Sequence, residues 1–274
     1  MKIESKTIIN RIPIEQIITK AMKMPLVKIN RETFLTKELK GKCSEEQIRL
    51  AVQNNPAFAG IDRSVIDPIA KQVIGYETNK VSVISFAAGI PGGFAMIGTI
   101  PADLAQYFGF VLRIMQQLAY LYGFEQFDLD DNGINSDTMN RIMVFLGEMF
   151  GVQCASTGIE FLGRVTAQKV AKSLPRKTLT KGFIYPIVKK IAQAIGIHMN
   201  KQIYANGVSK IVPVIGGVAS GGITYVTFKR AACRLQKSFS NLNLCDPEFY
   251  KNPDDFHNSD IFEDYSEESG KTEG

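Results

Sequence analysis

Residues 81–100 read VSVISFAAGIPGGFAMIGTI, twenty positions without a charge and with glycines at 89, 92, 93 and 98. A near-echo, VPVIGGVASGGITYV, runs from Val212 to Val226. Each holds a proline, a glycine pair and a further glycine or pair: Pro91, Gly92, Gly93 and Gly98 in the first, Pro213, Gly216, Gly217, Gly221 and Gly222 in the second. Apolar stretches this rich in glycine let helix backbones approach closely, in a bilayer or in a packed core. The first stretch is just long enough to span a bilayer. Its glycines, Pro91 and two serines lower its hydrophobicity, and Asn79, Lys80 and Asp103 flank it closely. A buried or shallowly inserted pair of helices is therefore expected in place of a simple transmembrane span.

Outward from these segments the periodicity is helical. Pro13 to about Met24 carries Ile14, Ile17, Ile18 and Met22 at three- and four-residue steps. Ser44-Glu45-Glu46-Gln47 has the form of a capping box, and Asn54-Asn55-Pro56 breaks the helix it opens. Asp62 to Gly75 reads as a helix whose regularity Pro68 limits. Val81–Phe86 is β-branched enough for a short strand, but no partner strand with a hairpin turn is evident. Pro101-Ala102-Asp103 is a helix start, with the run reaching Tyr122 and ending at Gly123. Ser136-Asp137 opens another, to Gly151. Helices continue from Gln153 to about Gly207, interrupted near Pro175, Pro186 and Gly196. The second glycine-rich segment extends as a helix through Phe228, Ala231, Ala232 and Leu235. The expectation is all-α: a single multi-helix bundle with two Gly-rich apolar helical segments. An N-terminal helical extension takes 1–40, the helical domain 41–245, and a disordered acidic tail 246–274.

The net charge of +5 conceals an asymmetry. From Phe161 to Cys245 there is no acid and there are fourteen bases. After Cys245, ten acids face two lysines, so the tail carries −8 and residues 1–245 carry +13. Ordinary surfaces intersperse both signs. A body this basic suits an anionic partner: acidic lipid, nucleic acid or its own tail. The candidate lipid- or partner-binding residues are Lys169, Lys172, Arg176, Lys177, Lys181, Lys189 and Lys190. Nucleic acid is the weaker partner, because the chain lacks tryptophan and any recognised DNA- or RNA-binding signature, and its bases are spread over several helices.

Other chemistries find little support. Neither glycine segment has a Gly-Lys-Ser/Thr ending or GxGxxG spacing, so no nucleotide cofactor is expected. FDLDDNG, with Asp128, Asp130 and Asp131, lacks the alternating ligands and terminal Glu of a calcium loop and reads as an acidic connector. Cys43, Cys154, Cys233 and Cys245 have no metal-site spacing and fit a reducing compartment. His198 and His257 have no nucleophile or acid at a recognisable spacing. No metal is expected. MKIESKTIINRIPIEQ is not a signal peptide, which points to the cytoplasm.

Two stretches carry a family resemblance: GIPGGFAMIGTIPADLAQYFGFVLRIMQQLAYLYGF at 89–124 and KIVPVIGGVASGGITYVTFKRAACRL at 210–235. Their order and spacing resemble the EcsC family of bacterial proteins. There, a glycine-rich apolar stretch leads into a proline, a small residue and Asp-Leu. A long helix then ends in Tyr-Gly-Phe, and a second Pro-x-x-Gly segment lies near the C-terminus. The resemblance implies a protein of the inner membrane face, encoded beside an ABC transporter, and no particular reaction. The function expected is that of a noncatalytic, membrane-associated accessory protein for a membrane transporter or envelope process. The alternative is an enzyme or carrier acting on a lipid or other amphiphile, with Asp103 in a pocket and Tyr122 or Arg164 as its companions. Against it, one carboxylate at a helix start is more simply a dipole partner.

Overall fold

The computed structural model describes residues 14–89, 96–97, 100–130, 133–171, 184–193 and 213–251. At 83–89, 96–97, 100–104, 129–130, 133 and 213–224 it describes the backbone alone. The fold is all-α. Its helices are α1 (Ile14–Met22), α2 (Arg31–Leu39), α3 (Glu45–Gln53), α4 (Arg63–Gly89), α5 (Ala102–Leu121), α6 (Ser136–Phe150), α7 (Ala155–Val170), α8 (184–193) and α9 (Pro213–Ser240). Two antiparallel ladders of two residues per strand accompany them, Met96–Ile97 with Ile100–Pro101 and Leu129–Asp130 with Gly133–Ile134.

Local chemistry sets most helix ends. Ser44 Oγ accepts from the Gln47 N–H at 3.2 Å while Gln47 Oε1 accepts from the Ser44 N–H at 3.1 Å, closing the capping box. Asn135 caps α6 through Thr138, so the helix opens one residue after its cap, at Ser136. At the end of α5, Gly123 takes φ +95°, and the Phe124 N–H returns to the Ala119 carbonyl at 2.9 Å. A left-handed glycine of this kind closes a helix at little steric cost.

Four expectations are corrected. Gly75 does not end α4, because Val73, Ile74, Thr78 and Val81 are buried on either side of it. That packing outweighs the ~1 kcal/mol that a helical glycine costs. Val81–Phe86 is accordingly helical, and α4 runs on to Gly89 with Pro68 in its second turn. Residues 14–40 are not an extension. Ile17, Ile18, Ala21, Leu35 and Leu39 belong to the same core cluster as α5 and α6. The body also reaches past 245: Phe249 is buried, and the Tyr250 hydroxyl accepts from Asn55 Nδ2 at 2.7 Å. Pro175, Gly196 and residues 252–274 lie outside the described residues.

The N-terminal segment is stitched down by side chains reaching its backbone. Gln116 accepts from the Ile29 N–H and donates to the Val27 carbonyl, and Arg113 donates to the Leu26 carbonyl. Arg31 goes deepest. Its guanidinium donates to the carbonyls of Ala51, Val52 and Asn54 at the end of α3 and to that of Phe124 after α5, at 2.7–3.1 Å. A cation there also meets the negative end of the α3 dipole. Beyond it lies an aromatic centre, in which Phe124, Phe145 and Phe239 bring α5, α6 and α9 together with ring centroids 4.8–5.0 Å apart.

Close approach through glycine occurs away from the two charge-free segments as well. A Cβ at Gly147 in α6 would stand 2.8–2.9 Å from three atoms of the Ile191 side chain in α8. Gly147→Val is expected to overpack this contact and lower stability by about 1–3 kcal/mol, read from urea unfolding. For Arg31→Ala, which orphans four carbonyls, the expected loss is at least about 3 kcal/mol. Arg31→Lys should recover only part of it, since one ammonium cannot span the four acceptors. Full recovery by lysine would show that charge alone, without the guanidinium fork, holds this joint.

Candidate functional site

The site is built on α4 and α9, which make the most extensive helix–helix contact of the described chain. Arg63 Nη1 donates to the Ser240 carbonyl at 2.8 Å, and Ser240 Oγ donates to Asp67 Oδ1 at 3.3 Å. The start of α4 thus lies against the end of α9, and the two run antiparallel. At 1.5 Å per residue, Tyr76 stands about 20 Å from this end along α4 and Tyr225 about 22 Å along α9. The two tyrosines therefore share a level, and both are exposed, at 65% and 36%.

Charge is sorted about that level. Beyond Tyr76, α4 first carries buried Glu77 and half-buried Lys80 and then, from Val81 to Gly89, no charged residue, while α9 has none from Pro213 to Phe228. On the other side, the exposed charges are Arg63 and Lys71 on α4 and Lys229, Arg230, Arg234 and Lys237 on α9. Among the described residues, no acid occupies an exposed position of either helix. Each tyrosine has a lysine one helical turn away. Lys229 Nζ lies 5.4 Å from the Tyr225 ring centroid, and Lys80 Nζ stands 6.0 Å from the ring of Phe110. The same spacing recurs on α8, where Tyr185 is 68% exposed and Lys189 and Lys190 are exposed beside it. An aromatic body with a polar tip, next to a long aliphatic stem with a charged head, suits the boundary between an apolar and an aqueous phase.

Of the basic residues expected from sequence, Lys189 and Lys190 are exposed on α8. Lys169 is engaged elsewhere, its Nζ 2.6 Å from Glu125 Oε1. Lys172, Arg176, Lys177 and Lys181 lie outside the described residues, as do Pro91, Gly92, Gly93, Gly98, Asp131, His198 and His257. Pro213 opens α9, and Gly216, Gly217, Gly221 and Gly222 lie within its first half. The first charge-free stretch is not helical throughout: α4 stops at Gly89, and Met96–Ile97 pairs with Ile100–Pro101.

The three catalytic candidates are not brought together as a pocket would require. Asp103 is the second residue of α5, where a carboxylate meets the positive end of the helix dipole. Tyr122 follows the other end of α5, roughly 28 Å away along the helix. Tyr122 is buried, donating to Asp67 Oδ1 at 2.6 Å and accepting from Gln236 Nε2 at 3.2 Å. Burial, and then Asp67, push its phenol far above the ordinary value, which suits a structural tie between α4, α5 and α9. Arg164 is half-buried on α7, beside the Gly163 that packs against Leu242.

A second polar cluster was not legible from sequence. Glu77 is fully buried, and its Oε1 accepts from Arg113 Nε and Nη2 and from Gln117 Nε2 at 2.9–3.2 Å. Glu77 Oε2, Thr78 Oγ1 and Gln117 Oε1 are buried without a hydrogen-bond partner. The acid and base neutralise one another, and the pair ties α4 to α5. Among the described residues, no three His, Cys, Asp or Glu side chains form a group that could hold a metal ion, and no helix is long and apolar enough to cross a membrane.

In comparisons with known proteins, the chain matches no family model, no curated protein and no solved structure.

The buried phenols make a pH prediction. Burial pushes Tyr120 up from 10.0 to about 12, against the Phe127 N–H and the Arg31 charge, which both lower it. A group whose pKa is higher folded than unfolded gives stability that is complete below the unfolded value and is lost as pH rises through the folded one. The Tyr120 contribution, roughly 2–3 kcal/mol, should therefore be complete below pH 10 and be lost between pH 10 and 12. Urea unfolding across this range checks it, and Tyr120→Phe should flatten the decline.

Proposed function

We propose that this chain is a noncatalytic protein of an anionic membrane surface, docking by the free end of the α4–α9 pair. One observation carries the reading: the pair is layered along its length, charge-free at one end, tyrosine-bearing at one level, and purely basic on its exposed positions beyond. Tyrosine prefers the headgroup boundary of a bilayer, and lysines below it reach anionic headgroups. The charge-free end then enters the outer part of the leaflet without spanning it, backbone bonds being satisfied within the helices. The second EcsC-like motif, 210–235, includes the α9 part of this end, and the first begins at Gly89, the last residue of α4. They support a place at the inner membrane face, as an accessory to a membrane transporter or envelope process. The lipid-processing alternative is weakened by the length of α5, which separates Asp103 from Tyr122.

Vesicle co-sedimentation tests the reading. The chain should pellet with phosphatidylserine-containing vesicles at low salt and much less at high salt, where exposed charges are screened. Reversing two lysines in K229E/K237E should weaken binding by at least about 30-fold, from about 1 kcal/mol for each charge lost at the surface. A chain that stays in the supernatant at every salt concentration would instead be a basic module for a protein partner.

A further inference from the structure

The basic layer of α9 has a second ligand within the same molecule. We infer that residues 252–274 dock on the exposed face formed by Lys229, Arg230, Arg234 and Lys237, and that anionic lipid must displace them. The first half of this inference stands on charge and reach alone; the second rests on the membrane reading above.

Charge complementarity is the first argument. Residues 252–274 hold eight acids and one lysine, a net −7, and the face they would meet carries no exposed acid among the described residues. The segment is not merely acidic. Phe256, Ile261, Phe262 and Tyr265 are interleaved with Asp254, Asp255, Asp260, Glu263 and Asp264. The receiving face has the matching mixture, with Tyr225 and Val226 exposed one turn from Lys229. Acid and apolar groups alternating in one strand match base and apolar groups alternating on one helix.

Reach is the second. The body closes at Pro247–Tyr250, which is pinned by Phe249 in the core and by Tyr250 on Asn55 and the Leu244 carbonyl. Leu244 and Cys245 follow directly on α9, and the Cys245 thiol bonds the Tyr122 and Phe239 carbonyls, so the segment departs near the Ser240 end of the pair. From Ser240 to Lys229 is about 17 Å along the helix. Twenty-three residues reach at most about 80 Å when fully extended. The basic layer lies within that reach, and tethering raises the segment's effective concentration there to the millimolar range.

The geometry also says where the segment can be removed without harm. A cut before Phe249 would take Phe249 and Tyr250 away from the core, whereas a chain ending at Lys251 keeps both. Cys233 is exposed in the middle of the basic face, while Cys245 is buried and Cys43 and Cys154 are half-buried. It is a built-in reporter.

The test has two arms. In the full chain carrying Ser266→Cys, without vesicles, mild oxidation should join the new thiol to Cys233. The bond should form at least about tenfold faster at low salt than near 1 M salt, where the Debye length is about 3 Å. K229E/K237E should remove that preference. Equal rates at both salt concentrations would overturn the docking. In the second arm, the chain ending at Lys251 should bind phosphatidylserine vesicles about tenfold more tightly than the full chain at low salt, having lost a tethered competitor. Equal binding by the two forms would overturn the competition. Salt-sensitive cross-linking with no vesicle binding by either form supports the docked segment and removes the membrane reading. Vesicle binding without cross-linking does the reverse.

Discussion

The guanidinium of Arg31 is the joint on which the N-terminal third of the molecule depends. Four carbonyl oxygens surround it, three from the end of α3 and one from the turn after α5, and among the described residues no carboxylate bonds it. Burial lowers its pKa by desolvation, yet a guanidinium stays charged in proteins, so the carbonyl dipoles must stabilise the cation themselves. They do so because a helix end presents oxygens that have no partner within the helix. The arrangement satisfies the end of α3 and a buried base at once. It also places α2 against α5, which is why residues 14–40 share the core with the rest of the chain.

From α5 the remaining architecture follows. Its last turn delivers Tyr120, Tyr122 and Phe124 to the centre, Phe124 packs with Phe145 and Phe239, and Tyr122 bonds Asp67 and Gln236. These contacts fix α4 and α9 side by side at one end. The other end of the pair is left without charge, so the molecule has a polarity along this axis that no single helix carries. Two acids, half-buried Asp67 and fully buried Glu77, are consumed in holding the pair to α5. Neither takes an exposed position, which leaves the exposed charges of α4 and α9 purely basic among the described residues.

How much of this could be read in advance depends on the range of each cause. The cap at Ser44, the start after Pro101 and the stops at Gly123 and Gly151 act over four residues or fewer, and all are visible in the sequence. The passage of α4 through Gly75 and Val81–Phe86 is not, because α9 holds it helical from more than a hundred residues away. Arg31 and Tyr250 carry no local signal for the same reason, their partners lying up to 93 and 195 positions distant. The basic stretch was legible as composition, but half of the lysines chosen from it fall where the structure describes nothing, and Lys169 is paired. The recurring Tyr-x-x-x-Lys spacing at Tyr76, Tyr185 and Tyr225 was available to inspection. Its meaning was hidden, because only the antiparallel pairing puts Tyr76 and Tyr225 at one height.

That pairing has a consequence for the order in which the molecule can be made. Arg63 meets Ser240, 177 residues later. At the usual pace of ribosomal synthesis, α4 waits roughly 10–30 s for the helix that covers it. During that interval its apolar face and the charge-free stretch after it are on offer to whatever lies near the ribosome. Burial of α4 is therefore a late event of long sequence separation, of the kind that slows folding. A nascent chain that pauses there presents the same end of α4 that carries no charge in the finished protein.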